Sequence, residues 1–177
     1  MAQATGVPLD GTQDTLPILD HYLDGVLEGE TPRQEVLALV APTAGAYFGE
    51  VVRQHLGNGT WVDGDLGPGD LPGELRLHLL GGALRLRPVE AAREAILKAK
   101  QPGAPAVLEP RADLREAADA ALDAFGEVRE GDYFRLSVRF DALLQAYAHV
   151  ERALRTRSAN GHGGPPSPAG PSGPKAS

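Results

Sequence analysis

An α+β domain, with several helices packed on a small antiparallel sheet of two or three strands, is the fold class this sequence predicts. Two observations carry it. Apolar residues recur every three or four positions over most of the chain, which is the helical period, and on either side of the Gly81-Gly82 pair, at Leu75, Leu77 and Leu79 and at Leu84 and Leu86, they alternate with polar ones. A chain of 177 residues is long enough for one sizeable core and short for two.

Leu16, Leu19, Leu23, Val26 and Leu27 form the first helical stripe, with Asp14 and Thr15 as caps and Pro17 tolerable in the first turn. Thr31-Pro32-Arg33-Gln34 reads as a capping box that starts a second helix through Val36, Leu37, Leu39 and Val40. Pro42 removes a backbone donor, so a break is expected at Ala41, with a third helix through Tyr47, Phe48, Val51, Val52 and Leu56. Gly57-Asn58-Gly59 stops it. Thr60-Trp61-Val62 is a short strand, and the Gly- and Pro-rich stretch from Asp63 to Gly73 is a loop.

Leu75, Leu77 and Leu79 alternate with Arg76 and His78, and Leu84 and Leu86 with Arg85 and Arg87. Gly81-Gly82 between them reaches the positive φ of a tight hairpin, so residues 74–87 are a β-hairpin. Pro88 opens a helix carrying Val89, Ala92, Ala95, Ile96 and Ala99. Gln101 to Pro110 reads as a linker, and Leu114, Ala118, Ala121, Leu122 and Phe125 as a helix that ends near Gly126. Tyr133 to Phe140 fits a strand, but Tyr133, Leu136, Phe140, Leu143, Leu144, Tyr147, Val150 and Leu154 fit one helical stripe, which predicts a helix from about Asp132 to Arg157.

The organisation is then a leader over residues 1–10, one domain over 11–157 and a tail over 158–177. In the tail ten of twenty residues are Gly or Pro, which predicts disorder. The chain has no Cys, which excludes disulfides, thiolate metal sites and cysteine nucleophiles. Its formal charge of −7 argues against nucleic-acid and anionic-membrane partners. No continuous apolar run approaches the roughly 20 residues of a membrane span, and residues 1–10 lack the basic and apolar regions of a signal peptide, so a cytoplasmic location is expected. From Met1 to Leu84 there are 12 acidic residues against 3 Arg, an acidic half that suits a basic partner.

Candidate chemistry centres on Gly45-Ala46-Tyr47-Phe48-Gly49-Glu50-Val51-Val52-Arg53. Gly45 and Gly49 share a helix face and permit close backbone approach at a cost of about 1 kcal/mol each against alanine. Glu50 stands among apolar residues with Arg53 three and Gln54 four positions on. Unpaired, its carboxyl would have a raised pKa and could serve as a general acid or base; paired with Arg53, or with Arg85 or Arg87 of the hairpin, it is a structural ion pair, the reading preferred. The five histidines have no metal spacing, Ser137 is the only serine before the tail, and no glycine loop has the lysine of a phosphate-binding loop. No metal or cofactor is expected.

The run from Gly45 to Arg53, then Leu56-Gly57, Trp61-Val62, a leucine-rich strand pair and Pro88, resembles a group of uncharacterised bacterial domains. These share a Gly-Ala-Tyr-Leu-Gly-Glu-Val-Leu helix, a Gly-Gly-x-Trp step into a strand, and a hairpin before a proline-started helix. The likeness covers about residues 31–100. The chain departs from it in Phe48, in Asn58 and Thr60 around the glycine-tryptophan step, and in the loop before the hairpin. The resemblance implies a fold and no chemistry.

These readings favour a non-catalytic interaction or regulatory module that presents an acidic face to a protein partner, a basic one by charge, with Tyr47, Glu50, Arg53 and Trp61 as binding residues. An immunity-type protein that neutralises a toxin has the same small acidic profile, an analogy of profile alone. Two alternatives stay open: a small enzyme using Glu50 as general acid or base with Tyr47 and Arg53 beside it, and a homo-oligomeric structural subunit joined through its C-terminal helix. The sequence leaves the oligomeric state undetermined.

Overall fold

The computed structural model describes residues 10–26, 34–63 and 75–161. The expected leader up to residue 9, the capping box over 31–33, the loop from residue 64 and the tail from residue 162 lie outside the described residues. Five helices pack with a four-stranded antiparallel sheet, an α+β arrangement: α1 (Leu16–Gly25), α2 (Gln34–Leu56), β1 (Thr60–Asp63), β2 (Leu75–Leu79), β3 (Leu84–Leu86), α3 (Pro88–Leu97), β4 (Leu108–Pro110), α4 (Arg115–Phe125) and α5 (Leu136–Gly161).

The strands lie in the order β1-β2-β3-β4. Trp61 pairs with Leu77, Leu77 with Leu86, and Leu86 with Leu108, so one row of apolar side chains crosses the whole sheet on one face. Leu77, Leu79, Leu84 and Leu86 are buried there with Phe48, Val51 and Val52 of α2 and Ala91, Ala92 and Ile96 of α3. The hairpin turn confirms the reading of its glycines: Gly81 and Gly82 have φ of 64° and 88°.

Three expectations are corrected. β4 lies in the stretch read as a linker; three residues ending in proline are too short for a periodic signal, and proline is tolerated in an edge strand, where one side of the ladder is unpaired. The break at Ala41 does not occur. Pro42 sits inside a continuous α2, and because Pro42 and Ala38 are both exposed, the Ala38 carbonyl that loses its donor faces water. The last helix starts at Leu136 and runs to Gly161, through the first four residues assigned to the tail. There the Ser158 hydroxyl donates to the Leu154 carbonyl at 3.1 Å, a side-chain bond back onto the preceding turn.

With no break, α2 spans 23 residues and is, by length and composition alone, long and apolar enough to cross a membrane. Its second half is core, with Phe48 and Val52 fully buried, whereas Leu39 in its first half is 72% exposed.

α1 and α5 meet through a buried carboxylate. Asp20 of α1 accepts the backbone N–H groups of Leu136 (2.7 Å) and Ser137 (3.1 Å) and the Ser137 hydroxyl (2.6 Å). It therefore caps the N-terminus of α5 from another helix, satisfying donors that have no partner inside α5. α3 and α5 are joined by a second buried polar contact, Arg139 Nη2 to Glu94 Oε2 at 2.6 Å.

Candidate functional site

The residues singled out from the sequence gather where the C-terminal half of α2 passes β1 and the start of α3. The glycines set this approach. A Cβ at Gly45 would stand 2.5 Å from Val89 Cα, and one at Gly49 would stand 2.2 Å from Trp61 Cη2 and 2.9 Å from Pro88 Cγ. Any side chain larger than hydrogen would push α3 and Trp61 off α2.

Trp61 thereby reaches back over α2 to Glu50. Arg53 Nε donates to Glu50 Oε2 at 2.8 Å and Arg53 Nη2 to Oε1 at 2.6 Å, a two-pronged pair. Gln54 Nε2 adds a bond to Oε1 at 2.9 Å, and the Trp61 indole N–H a long one to Oε2 at 3.4 Å. The helical spacing of residues 50, 53 and 54 makes the first three possible, because side chains three and four apart share a face. These donors, Arg53 first and Gln54 second, lower the Glu50 pKa from 4.5 to about 2 against a small opposing effect of burial. A carboxylate so stabilised is a weak base and carries no proton to give near neutral pH. The network is also accessible: the Glu50 and Arg53 side chains are 35% and 41% exposed.

Tyr47 does not join this network. Its hydroxyl turns the other way along α2, accepts the Gly11 N–H at 3.0 Å and forms a short hydrogen bond with the Thr15 hydroxyl, pinning the segment that leads into α1. The structure thus unites Glu50, Arg53 and Trp61, separates Tyr47 from them, and adds Gln54. Arg85 and Arg87, the other partners considered for Glu50, lie beside Glu109 instead.

The described carboxylates of the acidic half are largely engaged. Asp10 accepts the Thr12 backbone N–H and hydroxyl, Asp24 pairs with Lys98 at 3.0 Å, Glu50 is held as above, and Asp20 is buried. Burial raises the Asp20 pKa, and the hydrogen bonds from Ser137 and Leu136 oppose that rise. Sequence reading missed Asp20, although a signal existed: at four residues from Leu16 and three from Leu23, it falls on the apolar stripe of α1. Among the described residues no group of three or more His, Asp or Glu could hold a metal ion.

No known protein family, curated protein or solved structure matches the chain. The resemblance to uncharacterised bacterial domains is carried by the quoted residues alone.

Proposed function

We propose that this protein is a non-catalytic interaction module whose partner is another protein, contacted around Glu50, Arg53, Gln54 and Trp61. The observation that carries this reading is the four-donor arrangement around the Glu50 carboxylate, with a pKa of about 2. It removes the acid–base capacity that the enzyme alternative requires while leaving a half-exposed Trp, Arg and carboxylate on rigid elements. Trp and Arg are the residue types enriched at the energetic centres of protein interfaces.

The acidic face of the sequence reading narrows accordingly. Asp10, Asp24 and Glu50 have internal partners, so attraction of a basic partner falls to exposed carboxylates such as Asp14, Glu35 and Asp63. A bound partner identified by affinity capture should be lost with Arg53→Glu and held more weakly at high salt. A turnover activity in the purified protein that Glu50→Gln abolishes would overturn the reading in favour of the enzyme.

A further inference from the structure

The turn between α2 and β1 sets an asparagine between two glycines, Gly57-Asn58-Gly59. Gly57 closes α2 in the left-handed region, with φ of 71° and its N–H on the Arg53 carbonyl at 2.9 Å. Asn58 is exposed and lies outside both elements. Its side chain is held from far along the chain: Nδ2 donates to the Tyr147 hydroxyl at 2.5 Å, which ties the turn to α5 across 89 positions.

Packing fixes glycine at position 59. A Cβ there would stand 3.0 Å from Arg53 Cγ and 3.0 Å from Leu77 Cδ1, tighter than ordinary van der Waals contact. The fold therefore keeps an asparagine-glycine step in an exposed, irregular turn. That step is chemically labile, because a following residue with no Cβ lets its backbone nitrogen approach the asparagine side-chain carbonyl carbon unhindered.

We propose that Asn58 is a site of spontaneous deamidation, with Tyr147 as the restraint that sets its rate. The Gly59 backbone nitrogen, deprotonated by hydroxide, attacks Asn58 Cγ. The N–Cγ bond forms, the Cγ–Nδ2 bond breaks, and the amide leaves as ammonia after taking a proton from water. Water then opens the cyclic imide at either carbonyl, giving aspartate or isoaspartate, with no change of oxidation state. Nδ2 is the leaving group, so the reaction must break the bond to Tyr147, whose ring is itself packed against the core.

Either product adds one negative charge to the turn that packs on Arg53. Isoaspartate also routes the main chain through the former side chain, one methylene longer, which moves Gly59 off the Arg53 stem whether or not the Glu50 cluster contacts a partner.

The test is incubation of the full chain, folded and in denaturant, from neutral to mildly alkaline pH, followed by peptide mapping. The mapping must resolve residue 58 from Asn160, the other asparagine, which also precedes a glycine but at the end of α5. The expected result is conversion of Asn58 in the folded chain, faster as pH rises, into paired aspartyl and isoaspartyl peptides, with no such products from position 58 in Asn58→Gln. Tyr147→Phe should convert about fivefold faster at Asn58, the factor that an ordinary hydrogen bond is worth, with the rate at Asn160 unchanged. Asn58 that stays intact in the folded chain while it converts in denaturant overturns the proposal, and that comparison needs no variant. Conversion in Tyr147→Phe at the original rate, or an equal acceleration at Asn160, overturns the role given to Tyr147.

Discussion

Gly49 of α2 supports the ring of Trp61 directly: a Cβ at position 49 would lie 2.2 Å from Trp61 Cη2. One turn earlier Gly45 meets the backbone of Val89 just as closely. The two glycines are the reason that helix, strand and the Pro88 helix start can share one junction, and they place the Trp61 indole beside Glu50.

Gly45→Ala should therefore destabilise the fold although alanine is the better helix former. Overpacking against backbone costs about 1–3 kcal/mol, and the propensity gain returns at most about 1 kcal/mol. Gly49→Ala should in addition displace the indole, read as a shift in Trp61 fluorescence. Denaturant unfolding of both variants checks this; a stabilised Gly45→Ala protein would contradict the packing described.

Glu50 makes acid sensitivity predictable in sign. Its folded pKa, near 2, lies below its ordinary value of 4.5, so the stability it contributes is present above pH 4.5 and disappears as pH falls toward 2. The pair is half-exposed, so the contribution is under about 1 kcal/mol after solvent screening. Thermal unfolding of wild type and Glu50→Gln should differ slightly near neutrality and converge in acid. Asp113, whose pKa is also lowered to about 2 by Arg111, adds the same trend in both proteins.

Asp20 should behave in the opposite sense. Burial raises its pKa, so the folded state holds the neutral acid better than the unfolded chain does, and that contribution is lost as pH rises through the folded pKa. Asp20→Ala should cost about 2 kcal/mol by orphaning the donors of Leu136 and Ser137. The gap between wild type and variant should widen as pH falls through the Asp20 titration. Amide exchange at Leu136 and Ser137, accelerated in the variant, locates the damage.

Glu94→Ala should be costlier than any exposed ion-pair change. It leaves the Arg139 guanidinium, whose side chain is 13% exposed, without its buried carboxylate, a loss of about 3 kcal/mol. Replacing Arg139 and Glu94 together by apolar residues should recover much of it, which a double-mutant cycle measures.

Periodicity revealed the parts of this fold that repeat. The stripes of α1, α4 and α5 and the alternation of the hairpin are visible because each buries one face over several turns or pairs. What escaped is local or relational. β4 is three residues long, Pro42 is harmless because Ala38 faces solvent, and the capping role of Asp20 depends on a residue 116 positions away. For the candidate site, residues 50, 53 and 54 were legible from helical spacing, and the Trp61 contact needed the sheet. Tyr47 stands beside them in sequence, yet its hydroxyl serves Thr15 and Gly11 instead.

The bond from Asp20 to Leu136 also has a temporal side. During synthesis α1 leaves the ribosome more than a hundred residues ahead of the helix whose amides its carboxylate will receive. Until then Leu16, Leu19 and Leu23 lack their α5 neighbours, so the nascent chain must carry an unfinished helix through most of its own translation and seal the domain only when that distant turn arrives.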